Sequence, residues 1–318
     1  MKPFAVGVDL GGTNLRIAAV DDAGATLEKL SVPTRAKQPR ESVIREMCQA
    51  VQSLTAKLAG TRRLAGIGVG VPGILYMETG TLRQSPNLPG WENFPVRQEI
   101  ESLLGTRVWL DNDANVAALG ELWLGAGRGT GSLCMLTLGT GVGGGLVLDG
   151  QIWHGFLGMA GELGHMVVAE NGVRCPCGGQ GCLERYVGNQ DILRHVRKQL
   201  REGVRSRLRA LTLGNPERLT PELIDRACEQ GDVFARRVWA EAGEQIGLVL
   251  ANVINLLNPE RIVIGGGLAL AGCWIFDPMR RTVRKRTMRG LAAVPIVPAR
   301  LGPRAGMIGA ALFLGESA

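Results

Sequence analysis

The chain contains 318 residues, 45% of them hydrophobic and 20% charged, and it carries a formal net charge of +7. These values fit an ordinary soluble globular protein that is long enough for two domains with real cores. No apolar run approaches the roughly 18 residues that a membrane span requires. The start MKPFAVGVDL also lacks the long apolar core of a secretory signal and is typical of a strand, so a cytoplasmic location is expected.

The net charge comes from two basic stretches. Residues 194–209 hold seven Arg or Lys and one Glu, and residues 280–289 hold six Arg or Lys and no acid. In the first stretch the apolar residues recur at helical spacing, with the arginines spread over the other faces. Because neither stretch is interleaved with aromatic residues, we interpret both as solvated helix surface and expect no specific nucleic-acid binding.

The order of apolar segments predicts two α/β halves that each begin with a strand, a glycine turn and a second strand. Strands are expected at 4–8, 14–20, 64–71, 107–110, 132–138, 146–148 and 261–264. Helices are expected at 39–58, from 111 onward, at 232–257 and at 306–314, with mostly helical structure after residue 184.

The stretch 161–184 reads GELGHMVVAENGVRCPCGGQGCLE and concentrates metal-binding residue types. Cys175, Cys177 and Cys182 are too close together for relaxed disulfides, and with His165 they make a Cys₃His set that is typical of a structural Zn²⁺ site. Glycines at 178, 179 and 181 permit the tight turn that such a site needs. A flexible loop with incidental cysteines and a redox trio are the alternatives. A catalytic zinc is disfavoured because four protein ligands leave no position for water.

The chain has 46 glycines, well above average usage, and they cluster in short runs after strand-like segments at three places. This pattern predicts that backbone approaches ligands closely. The turn at 139–144 formally satisfies GxGxxG, but a strand follows it, whereas a dinucleotide-binding loop must open a helix. A P-loop motif is absent from the sequence. We therefore predict that the three turns together bind one nucleotide clamped between two domains, and that exposed backbone N–H groups of the first two turns face its phosphates, while the turn at 265–267 lies against its nucleoside. For any single turn, an ordinary tight turn is the alternative.

Five motifs in this order resemble the ROK family of sugar kinases and related repressors: DLGGTN at 9–14, NDAN at 112–115, LGTGVGGG at 138–145, GELGH at 161–165 and CPCGGQGCLE at 175–184. The resemblance covers nearly the whole chain, and the cysteine motif with its upstream GH is its most specific part. Within the family, DLGGTN, NLPGW and NDANVAALGE are most similar to bacterial glucokinases.

The resemblance implies a two-domain α/β fold of the actin and hexokinase type, with duplicated ribonuclease H-like domains and a cleft between them. We place an N-terminal domain at 1–120 and a C-terminal domain at 121–318, and we allow for a C-terminal helix that packs back on the first domain. A homodimer is expected from the family alone.

The activity that the resemblance implies is ATP-dependent phosphorylation of the C6 hydroxyl of glucose, with Mg²⁺ accompanying the ATP. A kinase for fructose, mannose, allose or an N-acetylhexosamine is the alternative in the same class, and a donor other than ATP, such as polyphosphate, stays open. A sugar-sensing transcriptional regulator would carry a helix-turn-helix module ahead of DLGGTN. We disfavour it because only eight residues precede Asp9.

The resemblance also assigns roles to individual residues. Asp113 is expected to be the catalytic base, with Asp111 as its local rival and helix capping as the structural alternative. Asp9 is expected to orient Mg²⁺ through water, and His165 to bind zinc through one nitrogen while its other N–H faces the sugar. The sugar contacts are then Gly73, Asn87, Asn112, Asp113, Glu162, His165 and Glu184. The nucleotide contacts are Asp9, Gly11, Gly12, Thr13, Asn14, Gly139, Thr140, Gly141, Gly265, Gly266 and Gly267.

Overall fold

The computed structural model describes residues 1–291 and 293–313. The strands are β1 (Lys2–Leu10), β2 (Asn14–Asp21), β3 (Thr26–Pro33), β4 (Arg62–Val71), β5 (Ile74–Tyr76), β6 (Thr81–Gln84), β7 (Val108–Asn112), β8 (Leu133–Leu138), β9 (Val142–Leu148), β10 (Gln151–Ile152), β11 (Arg261–Gly265) and β12 (Ile296–Pro298). The helices are α1 (Arg40–Leu58), α2 (Val96–Leu104), α3 (Asp113–Leu124), α4 (Glu184–Val187), α5 (Asn189–Arg201), α6 (Leu208–Leu211), α7 (Pro221–Glu229), α8 (Val233–Leu257), α9 (Cys273–Arg286) and α10 (Ala305–Leu312).

The first sheet has the strand order β3-β2-β1-β4-β7. The strands β1, β2 and β3 pair antiparallel, whereas β1, β4 and β7 run parallel, so their carboxyl ends meet at one edge. In this register Asp9 lies beside Gly70, and Gly70 lies beside Asp111. Ligand sites in open parallel sheets form at this edge, and here it carries both aspartates.

Successive residues of β1 face opposite sides of the sheet. Val6 and Val8 belong to a core that also contains the buried face of α1. Gly7, on the other side, lies so close to α10 that a Cβ there would collide with the carbonyl oxygen of Met307. The same crowding against α10 or its neighbours occurs at Gly68, Gly120 and Gly309. These four glycines therefore serve helix packing and not, as the glycine excess suggested, the approach of backbone to a ligand.

The second sheet has the strand order β10-β9-β8-β11-β12. Strand β9 begins at Val142, within the glycine run, and not at residue 146 as predicted. Glycines are poor strand formers, but Gly145 is needed here because a Cβ would lie 2.8 Å from the Cβ of Ala118 on α3. The long helix α8 packs along α9, and Asp232 caps its first turn by accepting from the Ala235 N–H at 2.9 Å.

The chain divides into two compact units. The first comprises Met1–Met135, Gly145–Gly161 and Ala299–Ala318, and the second comprises Leu136–Gly144 and Glu162–Pro298. This division differs from the predicted boundary at residue 120, which falls inside α3. The buried side chain of Glu121 explains part of the difference, because its carboxylate accepts from the backbone N–H groups of Ala126 at 2.7 Å, Arg300 at 3.0 Å and Leu301 at 2.7 Å. It thereby ties the distant segment at Arg300 and Leu301 to α3.

The remaining helix predictions agree with the structure to within a few residues. The predicted helix 306–314 corresponds to α10, although Leu314 lies outside the described residues. In the part of the chain that the structure describes, no helix combines the length and apolarity needed to cross a bilayer.

Candidate functional site

The junction of β7 and α3 places the predicted base. Asp113 is the first residue of α3 and is half-buried. The helix cap is Asn112, whose side-chain oxygen accepts from the N–H groups of Ala114 at 2.8 Å and Asn115 at 3.3 Å. The capping role that was the structural alternative for Asp113 therefore belongs to Asn112. The positive end of the helix dipole favours a carboxylate at the position of Asp113.

Asn112 also connects this junction to Gly73. Its side-chain amide donates to the Gly73 carbonyl oxygen at 3.0 Å. Gly73 has φ of +115°, and a Cβ there would collide with the carbonyl of Gln84. Glycine is thus required at this turn, and the predicted sugar-site residues Gly73, Asn112 and Asp113 lie together.

Asp111, considered as a rival base, is fully buried. Its carboxylate accepts from the Asn112 N–H at 2.6 Å and the Asn115 side chain at 2.9 Å, and it contacts Nε2 of His154 at 2.7 Å. These contacts make it a structural anchor and favour Asp113, which is half-buried, as the base. No sequence pattern pointed to His154, because it lies 43 residues from its partner Asp111.

Asp9 lies at the end of β1 beside the first glycine turn. Burial raises the pKa of its carboxyl above the ordinary value, and the neighbouring Arg16, whose Nη1 is 3.3 Å from Oδ2, partly offsets this effect. A second cation near Asp9 would offset it further. A carboxylate is a ligand type that suits Mg²⁺, so the residue fits the predicted role.

The first glycine turn is closed by a hydrogen bond from the Gly11 N–H to the Asn14 carbonyl at 3.0 Å. A Cβ at Gly12 would lie 2.9 Å from Cβ of Asn87. In the first unit, Asn87, which is predicted to contact the sugar, therefore lies next to the turn that is predicted to bind the nucleotide. Thr13 continues this turn, where its carbonyl accepts from the Thr34 N–H at 3.0 Å.

In the second unit the predicted zinc ligands cluster. One ligand atom from each of His165, Cys175, Cys177 and Cys182 lies within 4.8 Å of all the others. Nδ1 of His165 is 3.7 Å from Sγ of Cys175, and the sulfurs of Cys177 and Cys182 are 3.7 Å apart. A tetrahedral Zn²⁺ with Zn–S bonds of about 2.3 Å separates two sulfurs by about 3.8 Å. The donor set and its spacing therefore fit Zn²⁺.

The turn that gathers these sulfurs uses glycine where it was predicted. Gly178 and Gly181 have φ of +95° and +75°. A Cβ at Gly179 would lie 3.3 Å from Sγ of Cys182, so this position must also be small. Backbone bonds from Cys175 N–H to Gly179 at 2.8 Å and from Gly178 N–H to Cys175 at 3.0 Å close the turn.

The pKa values of the thiols show what a bound cation would have to offset. Burial and its neighbouring thiols raise the pKa of Cys182 to about 12. The Gly179 N–H, which donates to Sγ of Cys177 at 3.4 Å, leads the effects that lower the pKa of Cys177. A bound metal requires thiolates and supplies the charge that stabilises them. The cluster is therefore unfavourable as three thiolates alone and favourable as a metal site.

Three residues predicted to contact the sugar lie in or beside this cluster. Nε2 of His165 is 3.8 Å from Oε2 of Glu162, so the nitrogen that does not face the sulfurs is directed toward a carboxylate. Burial raises the pKa of Glu162, while His165 lowers it and Glu184 raises it. Glu184, the first residue of α4, accepts from the Val142 N–H at 2.9 Å. Glu162, His165 and Glu184 thus form one group.

The second and third glycine turns lie together in the same unit. The turn of Gly139, Thr140 and Gly141 is closed by a bond from Gly139 N–H to Gly141 at 2.9 Å, and the Gly139 carbonyl accepts from the Asn189 N–H at 3.0 Å. Gly266 has φ of +86°, and a Cβ there would collide with the carbonyl of Leu138. Gly265 and Gly267 flank it, so this turn packs against the start of the other.

The basic stretches are partly neutralised by local acids. In the first, Asp191 pairs with Arg185 at 3.1 Å and with Arg194, and Glu217 pairs with Arg201. In the second, Arg280 lies 3.8 Å from Asp277 and donates to the carbonyl of Ile296 at 2.8 Å. This pattern is that of charged helix surface, in line with the interpretation made from the sequence.

Comparison with known proteins gives independent evidence of the family to which the chain belongs. Residues 5–316 match the family model described as ROK family. A glucokinase from Halalkalibacterium halodurans is 39% identical over 310 residues, which cover 96% of this chain and 92% of that protein.

Two solved structures are similar over almost the whole chain. A ROK family glucokinase from Streptomyces griseus, in complex with glucose and AMPPNP, has a TM-score of 0.84 and 30% identity and covers 99% of this chain and 100% of that one. A ROK family transcriptional regulator, a homologue of the E. coli MLC protein, has a TM-score of 0.87 and 28% identity and covers 99% of this chain and 78% of that one. The predicted fold class is confirmed, and the chain belongs to the ROK family.

Proposed function

We propose that the protein is an ATP-dependent glucokinase, which transfers the γ-phosphoryl group of ATP to the C6 hydroxyl of glucose. The observation that carries this proposal is the similarity over the full length of both chains to a ROK glucokinase that binds glucose and a nucleotide analogue. The motifs that carry the resemblance are all present, from the first glycine turn to the cysteine cluster.

In this proposal Asp113 takes the proton of the C6 hydroxyl as the bond to phosphorus forms. Its place in the first turn of α3 supports the role, because the helix dipole stabilises the carboxylate that must accept the proton. Phosphoryl transfer requires little covalent chemistry from the protein and depends mainly on positioning and on charge stabilisation. Backbone N–H groups of the first two glycine turns contact the phosphates, and the turn at 265–267 lies against the nucleoside.

Two metals belong to the proposal. Asp9 would orient Mg²⁺ through water, and the ion that accompanies ATP would supply neutralisation of phosphate charge. His165, Cys175, Cys177 and Cys182 would hold Zn²⁺, which would supply structural support. His165 then presents its Nε2–H in a fixed direction, and Glu162 and Glu184 with it bind the hydroxyls of the sugar. Gly73, Asn87 and Asn112 complete the sugar contacts.

A coupled assay of the purified protein with Mg-ATP against a panel of hexoses tests the activity. We expect glucose to give the highest kcat/KM, with fructose, mannose, allose and N-acetylhexosamines behind it. No turnover of glucose, or a higher kcat/KM for another sugar, contradicts the proposal. Replacement of ATP by polyphosphate in the same assay identifies the donor.

A sugar-responsive regulator is the second candidate, because the match to the regulator is as good in TM-score as the match to the glucokinase. The chain covers 78% of that regulator, so a part of the regulator has no counterpart here. A DNA gel shift separates the two functions. We expect only weak retention that disappears as salt rises, which is the behaviour of nonspecific contacts.

A further inference from the structure

The carboxylate of Asp111, in the first unit, is fully buried at the end of β7. Burial of a carboxylate is costly unless the group is paired and hydrogen-bonded. Both oxygens of Asp111 have partners. Oδ1 accepts from the Asn112 N–H at 2.6 Å and from Nδ2 of Asn115 at 2.9 Å, and Oδ2 is 2.7 Å from Nε2 of His154.

The two Oδ1 partners belong to the first turn of α3. Asn112 is the helix cap, and Asn115 is the third residue of the helix. Asp113 lies between them in the chain, and its own side-chain oxygen accepts from the Ala114 N–H at 2.9 Å. The Asp111 carboxylate therefore holds the backbone of Asn112 before Asp113 and the side chain of Asn115 after it. A rotation of the Asp111 side chain would move both.

His154 is the partner that fixes the other oxygen of Asp111. It follows β10 and lies in a segment whose backbone is itself tied down, since the His154 carbonyl accepts from the Ala160 N–H at 3.0 Å. Its side chain is 28% exposed, whereas Asp111 is inaccessible. A carboxylate oxygen can only accept, so Nε2 carries the proton in this pair. An N–H donor of fixed direction thus sets the rotation of Asp111.

We propose that His154 is a positioning residue, which acts through Asp111 to hold Asp113 in the orientation that proton abstraction requires. This inference rests on the proposed glucokinase function. His154 does not touch the reacting atoms. Its effect is on kcat, since a shift of about 1 Å in a catalytic group can cost about 100-fold in rate.

The test compares two variants of similar size. In His154→Gln the side-chain amide nitrogen extends about as far as Nε2 and can donate to Asp111, whereas in His154→Asn it is too short. We expect the Asn variant to lose about 10- to 100-fold in kcat for glucose, with KM for glucose and for Mg-ATP changed by less than about threefold. The Gln variant should recover most of the rate. His195→Ala, at an exposed histidine of α5, is the matched control and should behave as the parent protein.

A kcat within about twofold of the parent in the Asn variant, or equal losses in the Asn and Gln variants, would overturn the inference. So would a rise in KM that accounts for the whole loss of kcat/KM. A purely structural role predicts a lower unfolding midpoint with kcat unchanged, and unfolding measurements on all three variants expose that outcome.

A second measurement does not depend on activity. In the parent protein with ¹⁵N-labelled histidine, the side-chain Nε2–H of His154 should give a proton resonance protected from exchange, which Asp111→Asn removes. If the parent protein does not turn over glucose, the proposed function is contradicted, but this resonance is still expected. An absent or unprotected resonance in the parent contradicts the pairing itself, whatever the enzyme does.

Discussion

The junction of β7 with α3 and the cysteine loop before α4 both place carboxylates, but they do so by different means. At the junction, Asp113 is held by regular structure: a strand in a parallel sheet, a helix, and the cap at Asn112. In the loop, Glu162 and Glu184 flank a segment whose described regular structure amounts to a short 3₁₀ turn and isolated β-bridges. Sheet register positions the first group, whereas a four-ligand cluster must position the second.

This difference has an energetic consequence. The hydrogen bonds at the junction are made by the chain itself, so its geometry survives without any bound group. In the loop, three sulfurs and an imidazole are brought close together, an arrangement that is stable when a cation is bound. The two regions should therefore respond separately: changes at the junction should alter the rate, and changes in the cluster should alter zinc content and sugar affinity.

The largest effect is expected at Asp113. The Asp113→Asn variant should lose about 100- to 10,000-fold in kcat, because a general base contributes that much, while KM for glucose and zinc content stay near those of the parent. Steady-state kinetics and elemental analysis measure both. Asp22→Asn, at an exposed turn, is the control. Retention of more than about one-hundredth of kcat argues against Asp113 as the base.

The next largest effect is expected in the cysteine loop. Cys175→Ala should remove the bound zinc, lower the unfolding midpoint and raise KM for glucose by about tenfold or more, because the group that orients the sugar ligands is lost. Cys273→Ala, at an exposed thiol of α9, should change none of these. Unchanged zinc content and unchanged KM in Cys175→Ala would contradict the structural role of the cluster.

A smaller effect separates helix capping from catalysis. Asn112→Ala should lower the free energy of unfolding by about 1 kcal/mol, the usual worth of an N-cap, and should also lower kcat. Thr220→Ala removes the corresponding cap of α7, where Thr220 accepts from the Leu223 N–H at 3.4 Å. Its loss of stability should be similar, with kcat unchanged. Equal kcat values in the two variants would show that the cap at Asn112 serves stability alone.

The smallest effect concerns Asp9 and pH. Burial raises the pKa of Asp9 in the folded protein above its ordinary value of 3.8, so the folded state binds the proton more tightly than the unfolded state. The stability that Asp9 contributes is therefore present below its ordinary pKa of 3.8 and is lost as pH rises through its raised pKa in the folded protein.

Urea unfolding of the parent and of Asp9→Asn, between about pH 4 and pH 7, measures this loss. The Asn variant should become more stable relative to the parent as pH rises and then level off. A relative stability that falls with pH would mean that Arg16 outweighs burial at Asp9.

Much of this molecule is predictable from patterns that are local in the chain. The predicted zinc ligands span eighteen positions, and the structure brings together the residues that their type and spacing indicated. The sequence predicted a strand and not a helix after the second glycine turn, which excluded a dinucleotide-binding loop. Strand β9 confirms the predicted strand. Spacing in the sequence does not separate Asp111 from Asp113, and only the resemblance favoured Asp113. The structure adds a difference in burial, because Asp111 is fully buried and Asp113 is half-buried.

By itself, the sequence determined the family resemblance, seven of the twelve strands in the described residues and the residue types of the candidate metal cluster, since each of these signals lies in short segments of the chain. The tertiary structure decided which segments share a unit and which side chains complete the junction. Glu121 meets Leu301 across 180 positions, and His154 meets Asp111 across 43. Contacts of this kind leave no periodic signal in the chain, because they exist only once the sheet register and the close packing of α10 on glycine bring their partners together.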